Sequence, residues 1–348
     1  MQTQKYDMTF HYFRAFAIVC VMFTHLWHDP PFLEGFEAEK RLVTALSDTL
    51  FHSSTIYFIF ISGYLFEYVN RRKAFSVPAF YLSKVRNVLT PYLIISGLLL
   101  LTGTLMDRWG AGVPAFINEG MPVTSPADVL ICLLYGTASL TPYWYIPFIL
   151  SVFVISPVFF HMSNERLSRL LVPLSVLPLL VPRGLLFFFR NYCYFLPIFL
   201  LGIFFARNRE RCMDFIVRHL RGIVHIALFT SAVIFVNFYL DFIPNTETAY
   251  YVQKLAIGMC VILLLERRQQ PSPLLDLLAR YSFPLFFLHV IVQHICDPAL
   301  FAGLLPLCGG FLVPASLLVA LLESVLCLLL VRAVKKALGK RSRYVIGG

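Results

Sequence analysis

The sequence predicts an all-α polytopic membrane protein of about ten transmembrane helices with both termini cytoplasmic. Three observations predict it. The 348 residues are 58% apolar and only 14% charged, with a mean hydropathy of +0.74, whereas a soluble domain is about one-quarter charged. Apolar runs of about 17 to 25 residues, the length that crosses a hydrocarbon core, recur from end to end. The basic residues between the runs alternate between many and few, as the positive-inside rule requires.

In order, the runs lie at about 11–28, 49–69, 87–106, 144–161, 168–182, 191–207, 222–240, 250–266, 282–298 and 309–332. A shorter apolar segment at 127–139 is too short to span comfortably and reads as re-entrant or interfacial. With the N-terminus inside, the inner segments hold 22 of the 29 lysines and arginines. Most of these fall in 71–86, 207–221 and a basic tail from about 333 to 348. The outer segments, chiefly 29–48 and 107–143, add to five: Lys40, Arg41, Arg108, Arg183 and Arg190. Arg14 and Lys254 fall within runs. The net charge of +10 is explained by membrane orientation, with no nucleic acid as partner.

The first run lacks the small-residue cleavage pattern of a signal peptide and is followed directly by "HLWHDPPF". No repeat or second domain stands out, so residues 1–348 read as one transmembrane domain. The eight cysteines form no CxxC pair or metal-ligand spacing, and no metal is expected. Most lie in runs, where cysteine is a small hydrophobe. Cys296 and Cys308 flank an outer loop and have the placement to pair.

An ionisable side chain within a span is costly and raises the question of function. Arg14 and His25 are eleven residues apart, which on a continuous helix returns them to nearly one face, about 16 Å apart along the axis. Histidine is mostly neutral at pH 7 and suits a general base; arginine stays charged and suits phosphate or carboxylate. The same residues also read as anchors, Arg14 reaching the inner headgroups while His25, Trp27 and His28 form an outer belt.

Further along, Ser62 and Gly63 in "FIFISGYLF" suit either chemistry or close helix packing. Lys84 and Arg86 stand at the cytoplasmic mouth of the third run, suited to a phosphate-rich ligand or to topology alone. Trp144 belongs to "TPYWYIPF", otherwise an aromatic belt. His289 lies inside a run behind Pro284 and is hard to explain as an anchor; His294 sits closer to the outer end.

Together these residues resemble the integral-membrane acyltransferase-3 family, which includes sugar and exopolysaccharide O-acetyltransferases. Arg14, ten intervening residues and His25 are similar to its basic-residue, ten-residue, histidine signature. "FIFISGYLF" (58–66) resembles its second-helix motif, and "FYLSKVRNVLTPYL" (80–93) its basic stretch leading to a proline–tyrosine pair. "YWYIPF", "LPIFLLGIFFA" (196–206) and "SFPLFFLH" (282–289) follow in the family's order. One departure is that the family's two basic residues three apart correspond here to Lys84 and Asn87, with Arg86 alongside.

The resemblance implies a multi-pass enzyme of the cell membrane, in a bacterium the inner one. It would transfer an acyl group, usually acetyl, from acyl-CoA to a hydroxyl of a glycan or lipid-linked sugar. His25 would be the base; Arg14, with Lys84 and Arg86, would hold the donor. Ser62, Trp144 and His289 are further candidates. A transporter of a small metabolite or lipid-linked sugar is the rival reading, since sparse polar residues among ten spans fit one too.

Overall fold

The computed structural model describes residues 7–25, 35–114, 116–138, 143–184, 188–268 and 270–347. Among them there is no strand. The helices are α1 (Met8–Thr24), α2 (Glu37–Phe51), α3 (Thr55–Arg71), α4 (Val77–Lys84), α5 (Thr90–Arg108), α6 (Pro126–Tyr135), α7 (Tyr145–His161) and α8 (Asn164–Leu174). They continue with α9 (Leu177–Leu180), α10 (Phe188–Arg207), α11 (Arg209–Arg218), α12 (Leu220–Leu240), α13 (Glu247–Arg267), α14 (Pro273–Leu307), α15 (Leu312–Leu338) and α16 (Ser342–Val345).

Seven helical stretches among the described residues are long and apolar enough to cross a membrane. The expected spans at 11–28 and 144–161 coincide with α1 and α7, apolar helices of 17 residues each. The expected span at 168–182 is not one helix. Pro173 and Pro178 interrupt it, and each proline removes a backbone donor. The broken segment still runs the length of α10. Asn164 exchanges hydrogen bonds with Asn208 at one end (2.8 and 3.0 Å). At the other, the Pro182 carbonyl accepts from Arg190 (3.1 Å) and the Gly184 amide donates to Asn191 (3.2 Å).

The chain forms two compact units. The first comprises Met1–Thr24, Lys40–Phe75 and Val158–Ser282. Its centre is the pairing of α3 with α10, where glycines remove the side chains that would keep the backbones apart. A Cβ on Gly63 would lie 1.9 Å from the Phe199 carbonyl oxygen, and one on Gly202 would lie 2.2 Å from that of Phe60. Phe10 of α1 stacks on Tyr64 of α3, ring centroids 3.5 Å apart.

Buried charge closes two ends in this unit. Arg207 grips buried Glu67 with two nitrogens (2.8 and 3.1 Å) and donates to the Phe159 and Met162 carbonyls at the end of α7 (2.9 and 2.7 Å). Elsewhere Lys254 donates to the Leu50 carbonyl (2.9 Å), Gln253 to that of Thr49 (2.8 Å) and Thr24 to that of Phe51 (2.8 Å). These satisfy carbonyls that end α2, so buried Lys254 is accounted for as a helix cap. Sequence patterning missed α2 itself, because "EAEKRLVTALSDTLF" is half polar and Ser53 (φ +60°) turns the chain before α3 begins.

The second unit comprises His25–Glu39, Ser76–Pro157 and Phe283–Gly348. Tyrosine hydroxyls tie it together: Tyr81 to the Val154 carbonyl (2.7 Å), Tyr92 to Leu133 (2.6 Å) and Tyr143 to Phe287 (2.7 Å). Helix α6, in the ambiguous 127–139 segment, has ten residues. At about 15 Å it covers half of a hydrocarbon core of about 30 Å. Ser125 and Asp128 form a capping box at its start. Hydrogen bonds from Thr124 and then Ser125 hold the Asp128 carboxyl below its usual range. That contribution is present above the ordinary carboxylate value and is lost as pH falls through the lowered one.

All eight cysteines are free, so the Cys296–Cys308 pairing open in the sequence is not made. Cys296 is held inside the continuous α14, and Cys308 follows its last residue.

Candidate functional site

Helix α1 ends at Thr24 and His25 stands in a turn just past it. The expected helix through Arg14 is therefore continuous and ends one residue before His25. At the end of α1 the Thr24 hydroxyl reaches the Cys20 and Phe51 carbonyls. Trp27, His28 and the Pro30–Pro31 pair lie outside the described residues.

In the first unit, half-buried Arg14 donates from Nη2 to Ser282 Oγ (2.9 Å), and Ser282 donates to the Ala279 carbonyl (2.9 Å). The same stretch is fastened to α1 twice more. His11 Nε2 meets Asp276 (3.0 Å), and the Ser272 amide donates to the Tyr12 hydroxyl (3.0 Å). Arg280 also reaches Asp276 (2.5 Å). The first-helix signature and the "SFPLFFLH" stretch, 268 residues apart in sequence, thus meet directly.

In the second unit, the rings of His25 and His289 lie 5.5 Å apart, tilted by 43°. His289 is buried, and its Nδ1 faces the carbonyls of Leu285 (3.0 Å) and Phe286 (2.9 Å). Carbonyl oxygens only accept, so the ring proton sits on Nδ1 and Nε2 carries the lone pair. That buried Nε2 has no hydrogen-bond partner among the described residues. A neutral, unsatisfied acceptor beside a second histidine is what a hydroxyl proton seeks.

The aromatic stretch shapes this neighbourhood. Tyr143, whose hydroxyl bonds the Phe287 carbonyl, packs its ring 5.7 Å from that of Phe287, and Tyr145 lies 5.4 Å from Phe286. Trp144 is half-buried beside Phe148 (6.2 Å). Its backbone presses on Gly136, whose φ of +75° ends α6; a Cβ there would fall 2.5 Å from the Trp144 amide nitrogen.

Lys84 ends α4, and a single π turn over Val85–Leu89 follows, carrying Arg86 and Asn87. Pro91 cannot donate to the carbonyl one turn back, and the Thr90 amide bonds instead to Val85, five residues before. The Lys84 ammonium lies over the Phe153 ring at 4.1 Å and 5.1 Å from that of Phe80, a cation–π seat. Arg86 is exposed. Ser62 is half-buried on α3 beside the Gly63 contact. No group of three histidine, cysteine or carboxylate residues able to hold a metal occurs among the described residues.

The structure therefore brings His25 to His289 and Arg14 to Ser282. It gives Lys84 and Arg86 different surroundings and places half-buried Ser62 next to Gly63 on α3. Ser282 was legible only as part of a motif, since a lone serine carries no signal of an arginine partner.

No curated protein and no solved structure matches the chain. The family model described as an acyltransferase domain, of the acyltransferase-3 type, matches residues 9–332 and so takes in Arg14, His25, the π turn, the aromatic stretch and His289. With its all-helical fold and its apolar helices of membrane-crossing length, this chain belongs to that family of membrane acyltransferases.

Proposed function

We propose that this acyltransferase moves an acyl group, acetyl first among the candidates, from acyl-CoA to a hydroxyl of a sugar in a glycan or lipid-linked acceptor. The observation that carries the reading is the His25–His289 pair with its buried lone pair at Nε2 of His289. His25 takes the hydroxyl proton as the oxygen bonds the thioester carbon. The carbon–sulfur bond then breaks, and the thiolate leaves and is protonated. Arg14, fixed by Ser282, holds the pantetheine or phosphate part of the donor. Labelled acyl-CoA incubated with candidate glycans tests the reading. Transfer must depend on the thioester, whereas a transporter moves its substrate without consuming one.

In this reading residues 1–348 act as one transmembrane domain of the cell membrane, crossing ten times with both termini in the cytoplasm. The support is the 22-to-5 division of basic residues and the run of the broken segment 164–184 along all of α10. Reporter fusions after Arg72 and after Arg211 are expected to read cytoplasmic, and one after Lys40 external. An external signal at either of the first two sites overturns the map.

Lys84 and Arg86 belong to donor capture in the same reading. A charge-assisted hydrogen bond is worth about 1.5 to 3 kcal/mol, or about one to two decades in affinity. Replacing both with alanine is expected to raise the KM for acyl-CoA by that factor and to leave the KM for the acceptor little changed. An unchanged donor KM in well-expressed protein returns both residues to topology alone.

A further inference from the structure

Beyond His289, α14 carries two more buried polar residues on the same face. Gln293 and Asp297 follow His289 at steps of four, so each lies about 40° round and 6 Å further along the helix than the last. All three are buried, as is Glu323 of α15. The Asp297 and Glu323 carboxyl groups lie side by side between α14 and α15, with Gln293 next to Glu323, and neither Glu323 oxygen has a hydrogen-bond donor among the described residues. Two carboxyl groups side by side and out of water cannot both carry charge cheaply, so the pair holds a proton. Burying two acids inside apolar helices is costly, and leucines there would pack without that cost. The mechanism above uses neither acid.

We propose that Asp297 and Glu323, with Gln293 beside them, form a proton-transfer site that serves the His25–His289 pair. The inference rests on the acyltransferase reading and deepens it. Gln293 stands one helical turn, about 6 Å along the axis, beyond His289, and in this proposal a water carries the proton across that turn from Nε2 to Glu323. The proton taken from the acceptor hydroxyl passes through His25 and Nε2 of His289 to a carboxylate of the pair. The proton already shared there leaves to solvent. The new carbon–oxygen bond forms, the carbon–sulfur bond breaks with its electrons on sulfur, and the thiolate takes a proton from water on its own side. One proton enters the row and one leaves it at each turnover.

Other titratable groups near this row are His294, whose Nδ1 donates to the Val290 carbonyl (2.9 Å), Cys296 next to Asp297, and Cys327 one turn beyond Glu323. None of the three lies on the row between His289 and the acid pair.

Glu323→Gln and Asp297→Asn in the full-length protein in lipid vesicles test the site. An amide replaces a protonated carboxyl as donor and acceptor, so the helix contact and the folded yield are expected to stay within about twofold, but the two-acid pair that shares the proton is broken. Turnover is expected to fall about 10-fold or more with the KM for acyl-CoA unchanged, and the high-pH limb of the rate profile to shift. The infrared carbonyl band of a buried, protonated carboxylic acid is expected in wild type and lost when both substitutions are combined. Wild-type turnover in either variant overturns the proposal, and so does a folded wild type without that band, whether or not the variants fold. A wild type that turns over without the band sinks the proton site alone. One that shows the band but no acyl-CoA-dependent transfer sinks the acyltransfer reading and the role of the site in it.

Discussion

His25→Ala is expected to lower turnover by about 10²- to 10⁴-fold, the usual contribution of a general base, while the protein stays folded and inserted. His25 stands past the end of α1 and only partly buried, so its side chain adds little to the packing that holds the unit together. Its ring neighbour His289 is buried and bonded to its own helix, which leaves His25 as the more accessible of the two. His28→Ala, three residues further on, is expected to remain within a few-fold of wild type. The measurement is acyl-CoA-dependent labelling of the acceptor, normalised to folded protein in the membrane. Near-normal turnover in His25→Ala would falsify the base assignment, and a large loss in His28→Ala alone would move the assignment to that residue.

Gly63→Ala is expected to have the largest effect on folding. The added methyl would sit 1.9 Å from the Phe199 carbonyl oxygen and 2.8 Å from its carbon. Both are backbone atoms of α10, so no rotamer change relieves the clash and the helices must separate. Overpacking commonly costs about 1–3 kcal/mol, and more where the backbone cannot yield. Gly202 makes the reciprocal contact with the Phe60 carbonyl, so separation at one glycine also opens the other. Gly97, within α5, has nothing within 4 Å of where its Cβ would be. Gly97→Ala is expected to be neutral or to gain about 0.5–1 kcal/mol from helix propensity. Thermal unfolding in detergent, followed by size-exclusion chromatography, compares the two. A Gly63→Ala protein with the Tm of Gly97→Ala would mean that α3 and α10 do not pack this closely.

The same stretch shows where sequence reasoning divides into its two outcomes. "FIFISGYLF" offers Ser62 and Gly63 as chemistry or as packing, and nothing in the order of letters chooses between them. For Gly63 the choice is made by the Phe199 backbone of α10, more than a hundred residues away, lying against it. Lys254 is a similar case. In sequence it is an expensive charge in an apolar run; in the fold its ammonium finds carbonyls at the end of α2, a helix whose half-polar sequence gave no apolar signal.

Hydropathy and charge are properties of short segments, because each helix must satisfy its own backbone in lipid. The sequence by itself therefore determined that the chain is helical and of the membrane, and where most of the helices run. Its ordered motifs also pointed to the acyltransferase family and to Arg14, His25 and His289 as residues to examine. The tertiary structure alone decided which of them meet: Arg14 with Ser282, His25 with His289, and Asp297 with Glu323. It also decided that the first helix stops one residue short of His25 and that two prolines break the segment at 168–182. Such contacts join residues from 26 to 268 positions apart, and they follow from how helix faces pack rather than from any period along one helix.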